Sequence, residues 1–265
     1  MKVFVSADIE GVAGITSSDE ARKGQAGYGP FRSQMDAEVA AACEGALTAG
    51  ADEVVVKDAH GDGRNLSPGA LPVPVRLIRG YNGHPFAMVQ GLDESFDAAI
   101  FVGYHSRAGS GGHPLSHTLS RTKLFAVRLD GEPASEYRLH RLAAATVDVP
   151  VVLVTGDRTL CGEAAADGVR TVAVSDGVGS STTSLHPRTA VERIRAEAEA
   201  ALRDPLPAPP AVDGPHRLEV VFKDPAAAYV RSFYPGAEQV DDCTVAVGAH
   251  DYFDVLRALI FVVGL

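Results

Sequence analysis

Apolar strand-like runs that alternate with helix-favouring segments predict an α/β fold with a mostly parallel central sheet flanked by helices. Two further observations accompany that pattern. Polar residues able to do chemistry follow the apolar runs directly, and a proline-rich stretch, Arg203 to Pro215, sets a short C-terminal β-α-β-α pattern apart from the rest. The chain therefore divides into an expected metal-binding α/β catalytic domain over 1–203 and a small C-terminal α/β subdomain over 216–265.

An apolar run beginning at Lys2 ends in "SADIEGVAG", and Gly11 to Gly29 is a loop rich in Gly, Ser and Lys. Phe31 to Ala49 carries the Ala, Glu, Met and Leu content of a helix and is closed by Gly50. Glu53 to Lys57 reads as a short buried strand, followed by the Gly-punctuated "DAHGDG". Apolar runs continue at Val73–Ile78, Ala98–Gly103, Leu124–Leu129, Val151–Val154 and Val169–Val174. Helical segments are expected at Ser135–Thr146 and at Pro187–Leu202, where Pro187 suits a first helical turn. Beyond the linker come a strand at Arg217–Phe222, a helix near Pro225–Ser232, a strand at Gln239–Val247 and a last helix from Asp251.

Composition excludes several classes of function. The 265 residues are 46% hydrophobic, enough for a substantial core, and carry a formal charge of -10. A surface so acidic suits neither nucleic acid nor an anionic membrane, so neither partner is expected. There is no signal-like N-terminus and no run approaching the roughly 18 apolar residues of a membrane span, which makes a cytoplasmic location the expectation. Cys43, Cys161 and Cys243 are odd in number, scattered and free of CxxC pairing, so they read as core residues rather than as a disulfide or zinc-finger framework.

The chemistry lies at the strand ends. In "SADIEG", Asp8 and Glu10 stand at i and i+2, on one face of an extended chain, where two carboxylates repel unless a cation lies between them. Asp58 and His60 follow "VVVK", and Tyr104 and His105 follow "AAIFVG". The carboxyl edge of an open α/β sheet is where sites form, so Asp8, Glu10, His60 and His105 can converge despite their separation in sequence. Histidine with carboxylate and no cysteine suits zinc or manganese. Taken singly, a DxE or a loop histidine is more often structural; joint placement at three strand ends puts a metal site on an equal footing with a structural role. The Gly-rich stretch His105–Ser120 adds His113 and His117 on a loop expected to be mobile; His113, next to Pro114, reads as a surface histidine.

Together, "SADIEGVAG", "VKDAHGDGRNL", "MVQGLD", "FVGYHSRAGSGGHPLSHT" and "VTGD" resemble the D-aminopeptidases of metallopeptidase family M55. The likeness runs from Met1 to the closing helix in the family's order. It implies two zinc ions per chain held by Asp8, Glu10, His60, His105 and Glu136, with His117 in the catalytic role. It also implies short peptides with an N-terminal D-residue such as D-Ala as substrates, and a homo-oligomer, a ten-subunit ring pair. Zinc lowers the pKa of a bound water to about 7, which would supply the nucleophile. Two segments depart from the family: "YRLHR" at Tyr137–Arg141 puts bulky and basic groups after Glu136, and "SDGVGSSTTSLHP" follows Val174. Both bear on the substrate and leave open a related binuclear metallohydrolase acting on a different amide or ester. A nucleotide-binding module has no support, because no GxGxxG follows the first strand and "GDGRN" is no Walker loop.

Overall fold

A computed structural model describes residues 1–264. The elements in chain order are β1 (Lys2–Ala7), α1 (Ser18–Ala21), α2 (Tyr28–Thr48), β2 (Glu53–Asp58), β3 (Arg76–Ile78), β4 (Ala98–Tyr104), β5 (Leu124–Leu129), β6 (Glu132–Pro133) and α3 (Glu136–Ala145). There follow β7 (Val151–Asp157), α4 (Arg158–Ala166), β8 (Arg170–Val178), β9 (Ser181–Ser184), α5 (Pro187–Arg203), β10 (His216–Phe222), α6 (Pro225–Arg231), β11 (Ala237–Gln239), β12 (Thr244–Ala249) and α7 (Tyr252–Leu259).

Seven strands form the central sheet in the order β3-β2-β1-β4-β7-β8-β9, parallel except for the last, which is the return arm of a hairpin. Its inner strands are apolar on both faces because both faces are covered. On one face Val3, Val5, Val54, Val56, Ile100 and Val102 meet α2 and α5 through Met35, Val39, Ala42, Ile194 and Ala198. On the other, Phe4, Val55, Ala99 and Phe101 meet α3 and the second sheet. Alternation along β1 thus sends Val3 and Val5 to one core and Phe4 to the other, as the two-residue period of a strand requires.

The chain runs from β1 outward to β2, then returns to place β4 on the opposite side of β1. That reversal opens a crevice at the carboxyl ends of β1, β2 and β4. Glycine makes the crevice tight. Gly11 N donates to Gly103 O at 2.8 Å, and a Cβ on Gly103, whose φ is +71°, would stand 2.3 Å from Asp8 O.

The second sheet, β11-β12-β10-β5-β6, crosses the expected division of the chain. β10 pairs antiparallel with β12 on one side and with β5 on the other, so Leu124–Leu129, read above with the strands of the first domain, belongs to the sheet of the C-terminal segment. The two parts also share one continuous core, from Phe101, Val127 and Leu129 to Leu218, Val220 and Tyr252.

Other differences are local. Gln239–Val247 is two strands, because Asp241 turns the chain by accepting from Cys243 N at 2.8 Å. Only Arg76–Ile78 of the run from Val73 is strand. α4 has no counterpart among the expected helices; it starts at Asp157, whose carboxylate accepts from Thr159 N and Leu160 N. Leu265, the last residue of the expected C-terminal unit, lies outside the described residues. No helix among the described residues is long and apolar enough to cross a membrane.

Candidate metal centre

Six side chains meet at the crevice. Asp8 and Glu10 leave the end of β1, His60 follows β2, His105 follows β4, and Glu136 opens α3, brought in from the second sheet by β6. His117 comes from the loop between β4 and β5. Donor atoms of Asp8, Glu10 and His60 lie within 4.8 Å of one another, and so do those of His105, His117 and Glu136.

Asp8, a member of the first triad, also faces His105 of the second. Its Oδ1 is 3.1 Å from His60 Nδ1, and its Oδ2 is 3.6 Å from His105 Nε2. Glu10 Oε2 lies 2.7 Å from His60 Nδ1, and Glu136 Oε2 lies 3.3 Å from His105 Nε2. The His117 ring stacks on His105 at 4.3 Å between centroids, with Nε2 3.8 Å from Glu136 Oε1.

Backbone carbonyls fix which nitrogen of each imidazole faces inward. His60 Nε2 lies 2.8 Å from Ala21 O, His105 Nδ1 2.9 Å from Ser106 O, and His117 Nδ1 2.8 Å from Leu115 O. A carbonyl only accepts, so a proton sits on that nitrogen, and in the neutral ring a lone pair on the other faces the carboxylates. Lone pairs and carboxylate oxygens then point at one another, an arrangement that calls for a cation. Glu10 Oε2 and His105 Nε2 are buried without a hydrogen-bond partner among the described residues. The donors are nitrogen and oxygen, the set that zinc accepts, so the residues present fit the group.

The charge balance agrees. Burial would push the Asp8 carboxyl up, but the His60 ring overrides it and holds Asp8 below the usual carboxylate range. Burial opposes charge on His60 and His105, yet Glu10 and Asp8 raise the first, and Glu136 raises the second to about 10. Glu136 is lowered in turn, as His105 outweighs its burial. The carboxylates thus favour positive charge in the pocket, whether a proton on each ring or a metal in its place.

Other side chains hold this frame. Asp58 accepts from Asn65 N at 2.5 Å, Asn65 Nδ2 at 2.9 Å and Leu66 N at 2.7 Å. Asn65 Nδ2 also donates to His60 O at 2.6 Å, so the pair shapes the His60 loop. Asp157 accepts from Ser106 N and Ser106 Oγ, each at 2.5 Å, and fixes the chain beyond His105. Neither Asn65 nor Ser106 carries a signal in the sequence that sets it apart from an ordinary loop residue. Tyr104, read with the polar set, is wholly buried and spends its hydroxyl on Ser6 at 2.8 Å.

The Gly-rich loop is tied to its surroundings on either side of His117. His117 N donates to Ser106 O at 3.2 Å, and Thr118 Oγ1 donates to Ala134 O at 2.9 Å. His113 is buried rather than on the surface. Its Nδ1 accepts from Leu115 N at 3.2 Å, and burial lowers its pKa to about 4.

A cleft of about 600 Å³ opens over both triads, with Tyr81, Met88, Leu115, Leu119 and Ile260 among its apolar walls. Neither departure from the family pattern lines it. Arg138 reaches Pro133 O, His140 Nδ1 donates to Glu136 O at 2.7 Å, and Arg141 pairs with Asp167 at 3.2 Å. The stretch after Val174 completes β8 and forms β9, which packs on the loop after β1 through Ser184 Oγ and Gly14 N at 2.7 Å.

Comparison with known proteins identifies the family of the chain. The D-aminopeptidase model of peptidase family M55 matches residues 1–261. A D-aminopeptidase of Bacillus subtilis (strain 168) is 30% identical over 269 residues, covering 98% of this chain and 96% of the relative. The structure of the Zn-dependent D-aminopeptidase DppA from Bacillus subtilis, described as a self-compartmentalizing protease, superposes with a TM-score of 0.94 at 28% identity, covering 100% of this chain and 97% of that one. With a family match across nearly its whole length, the chain belongs to peptidase family M55, the D-aminopeptidases, and is a metallopeptidase hydrolase of that family.

Proposed function

We propose that this protein is a zinc-dependent, D-stereospecific aminopeptidase that removes an N-terminal D-residue such as D-Ala from short peptides. Asp8, Glu10, His60, His105 and Glu136 would hold two zinc ions, with Asp8 placed between the Glu10–His60 and His105–Glu136 pairs. The observation that carries the reading is Asp8 set between the Glu10–His60 and His105–Glu136 pairs beneath a cleft, beside His117 with one nitrogen tied to the backbone. Zinc held there would supply Lewis acidity and bring a water's ionisation near neutral pH.

The chain's own residues do the rest. His117 keeps Nδ1–H on Leu115 O, so Nε2 is the atom that takes a proton from the attacking water and returns it to the leaving amine. Glu136, 3.8 Å away, stabilises the imidazolium formed in between. Tyr81, Met88 and Leu115 exclude bulk water and receive the side chain of the N-terminal residue. A closed homo-oligomer belongs to the same reading, supported by the self-compartmentalizing relative and by exposed Tyr229, Val230, Phe233 and Phe261 on the C-terminal segment. A cytoplasmic location goes with three free cysteines.

The test is turnover of D-Ala-D-Ala against L-Ala-L-Ala by zinc-loaded protein. Cleavage of the D,D-peptide at least about 100-fold faster is expected, since an inverted α-carbon loses a contact in a fixed site. Equal rates, or turnover only of a non-peptide ester or amide, would overturn it in favour of the related binuclear hydrolase.

A further inference from the structure

We propose that Arg121 recognises the C-terminal carboxylate of the substrate, so that the cleft selects short peptides as free acids. The inference rests on the aminopeptidase reading and names the substrate class of the same site. Charge along the cleft is divided. Asp8, Glu10 and Glu136 form its floor, whereas Arg22, Lys23 and Arg121 also line it, with Asp62 as the further acid. In a chain of net charge -10, three cations on one cleft complement a zwitterion whose amine enters toward the carboxylates and whose own carboxylate stays outward.

Arg121 is the best held of the three. It lies four residues beyond His117, on a turn fastened from several sides. Leu119 N donates to Glu136 Oε1 at 2.7 Å, and Lys223 Nζ donates to Arg121 O at 2.7 Å. Its Nη2 donates to Pro114 O at 3.3 Å, which orients the guanidinium while leaving other N–H groups free. Among the described residues no carboxylate pairs with it. Lys23 faces Asp62 at 4.0 Å with both side chains exposed, and Arg22 directly follows the four-residue α1, whose Ala21 O meets His60. A planar guanidinium on a pinned turn meets a carboxylate through two parallel hydrogen bonds at little ordering cost.

The experiment compares D-Ala-D-Ala with D-Ala-D-Ala amide in two measurements. One is kcat/KM of the zinc-loaded enzyme, and the other is calorimetric binding of each compound to metal-free protein, where no turnover intervenes. Wild type is expected to favour the free acid by about tenfold or more, chiefly in KM. Arg121→Met should bring the ratio close to one, and Arg121→Lys should restore part of it. Equal handling of acid and amide by wild type would overturn the proposal, as would an unchanged ratio in Arg121→Met or loss of the ratio in Arg22→Met instead. Tighter binding of the free acid without hydrolysis of either compound would uphold carboxylate recognition and defeat the aminopeptidase reading.

Discussion

Each of His60, His105 and His117 has one nitrogen committed to a carbonyl, so its other nitrogen has one role at a time: ligand or proton carrier. For His117 the second is predicted. His117→Ala should keep its zinc while kcat falls about 100-fold or more, the range for loss of a general acid or base; zinc analysis beside steady-state kinetics decides, and loss of metal would make His117 a ligand. Asn65 acts at one remove. Asn65→Ala breaks its bonds to Asp58 and to His60 O and should weaken zinc affinity about 10-fold or more, read by competition with a chelator. Glu38 supplies a pH prediction away from the metal. Burial raises its carboxyl from 4.5 to about 7, and Oε2 has no partner among the described residues. The folded state therefore binds the proton more tightly than the unfolded chain. Its stabilising contribution is complete below pH 4.5 and disappears as pH rises through about 7. Glu38→Gln keeps the acceptor for Ala13 N and should raise stability at pH 8, by on the order of 2 kcal/mol, with little gain at pH 4. Denaturation midpoints of both proteins at the two pH values test the sign.

Among elements, the close approach of the ends of β1 and β4 governs the site, because Asp8 and His105 issue from them. Gly103→Ala would place a Cβ against Asp8 O at a positive φ, and should cost on the order of 2 kcal/mol and release zinc. Gly248→Ala, where a Cβ meets nothing within 4 Å, is the control, and thermal melting with zinc analysis reads both. The strand ends are legible in the sequence because a parallel strand buried on both faces is an unbroken apolar run, and the first polar residue after it marks the sheet edge. Asp8, Glu10, His60 and His105 stand out in that way. Glu136 does not: it opens a helix after a two-residue strand of the other sheet, and only the family resemblance points to it, as it alone singles out His117 among the loop histidines able to assist catalysis. Leu124–Leu129 is legible as a strand but not in its pairing, since apolar alternation records burial and not which strand lies beside it. α4 escapes a reading by pattern because Asp157 looks like the end of "VTGD" until its carboxylate is seen capping the next helix.

At the scale of the whole molecule, the second sheet does more than close the chain. Its β5 and β6 carry Glu136 to a crevice that the central sheet builds, and Ile260, beyond α7, lines the cleft. The stretch at 204–215 therefore connects two parts that share one sheet and one core. On this view Asp8 joins two sets of metal ligands, Glu10 with His60 and His105 with Glu136, and everything proposed for the site depends on that. Elemental analysis of zinc per chain, on protein purified without chelator, tests it most directly in wild type and Asp8→Ala. About two zinc ions in wild type and nearly none in the variant are predicted. A wild-type protein without metal, or an Asp8→Ala variant with full occupancy, would contradict it.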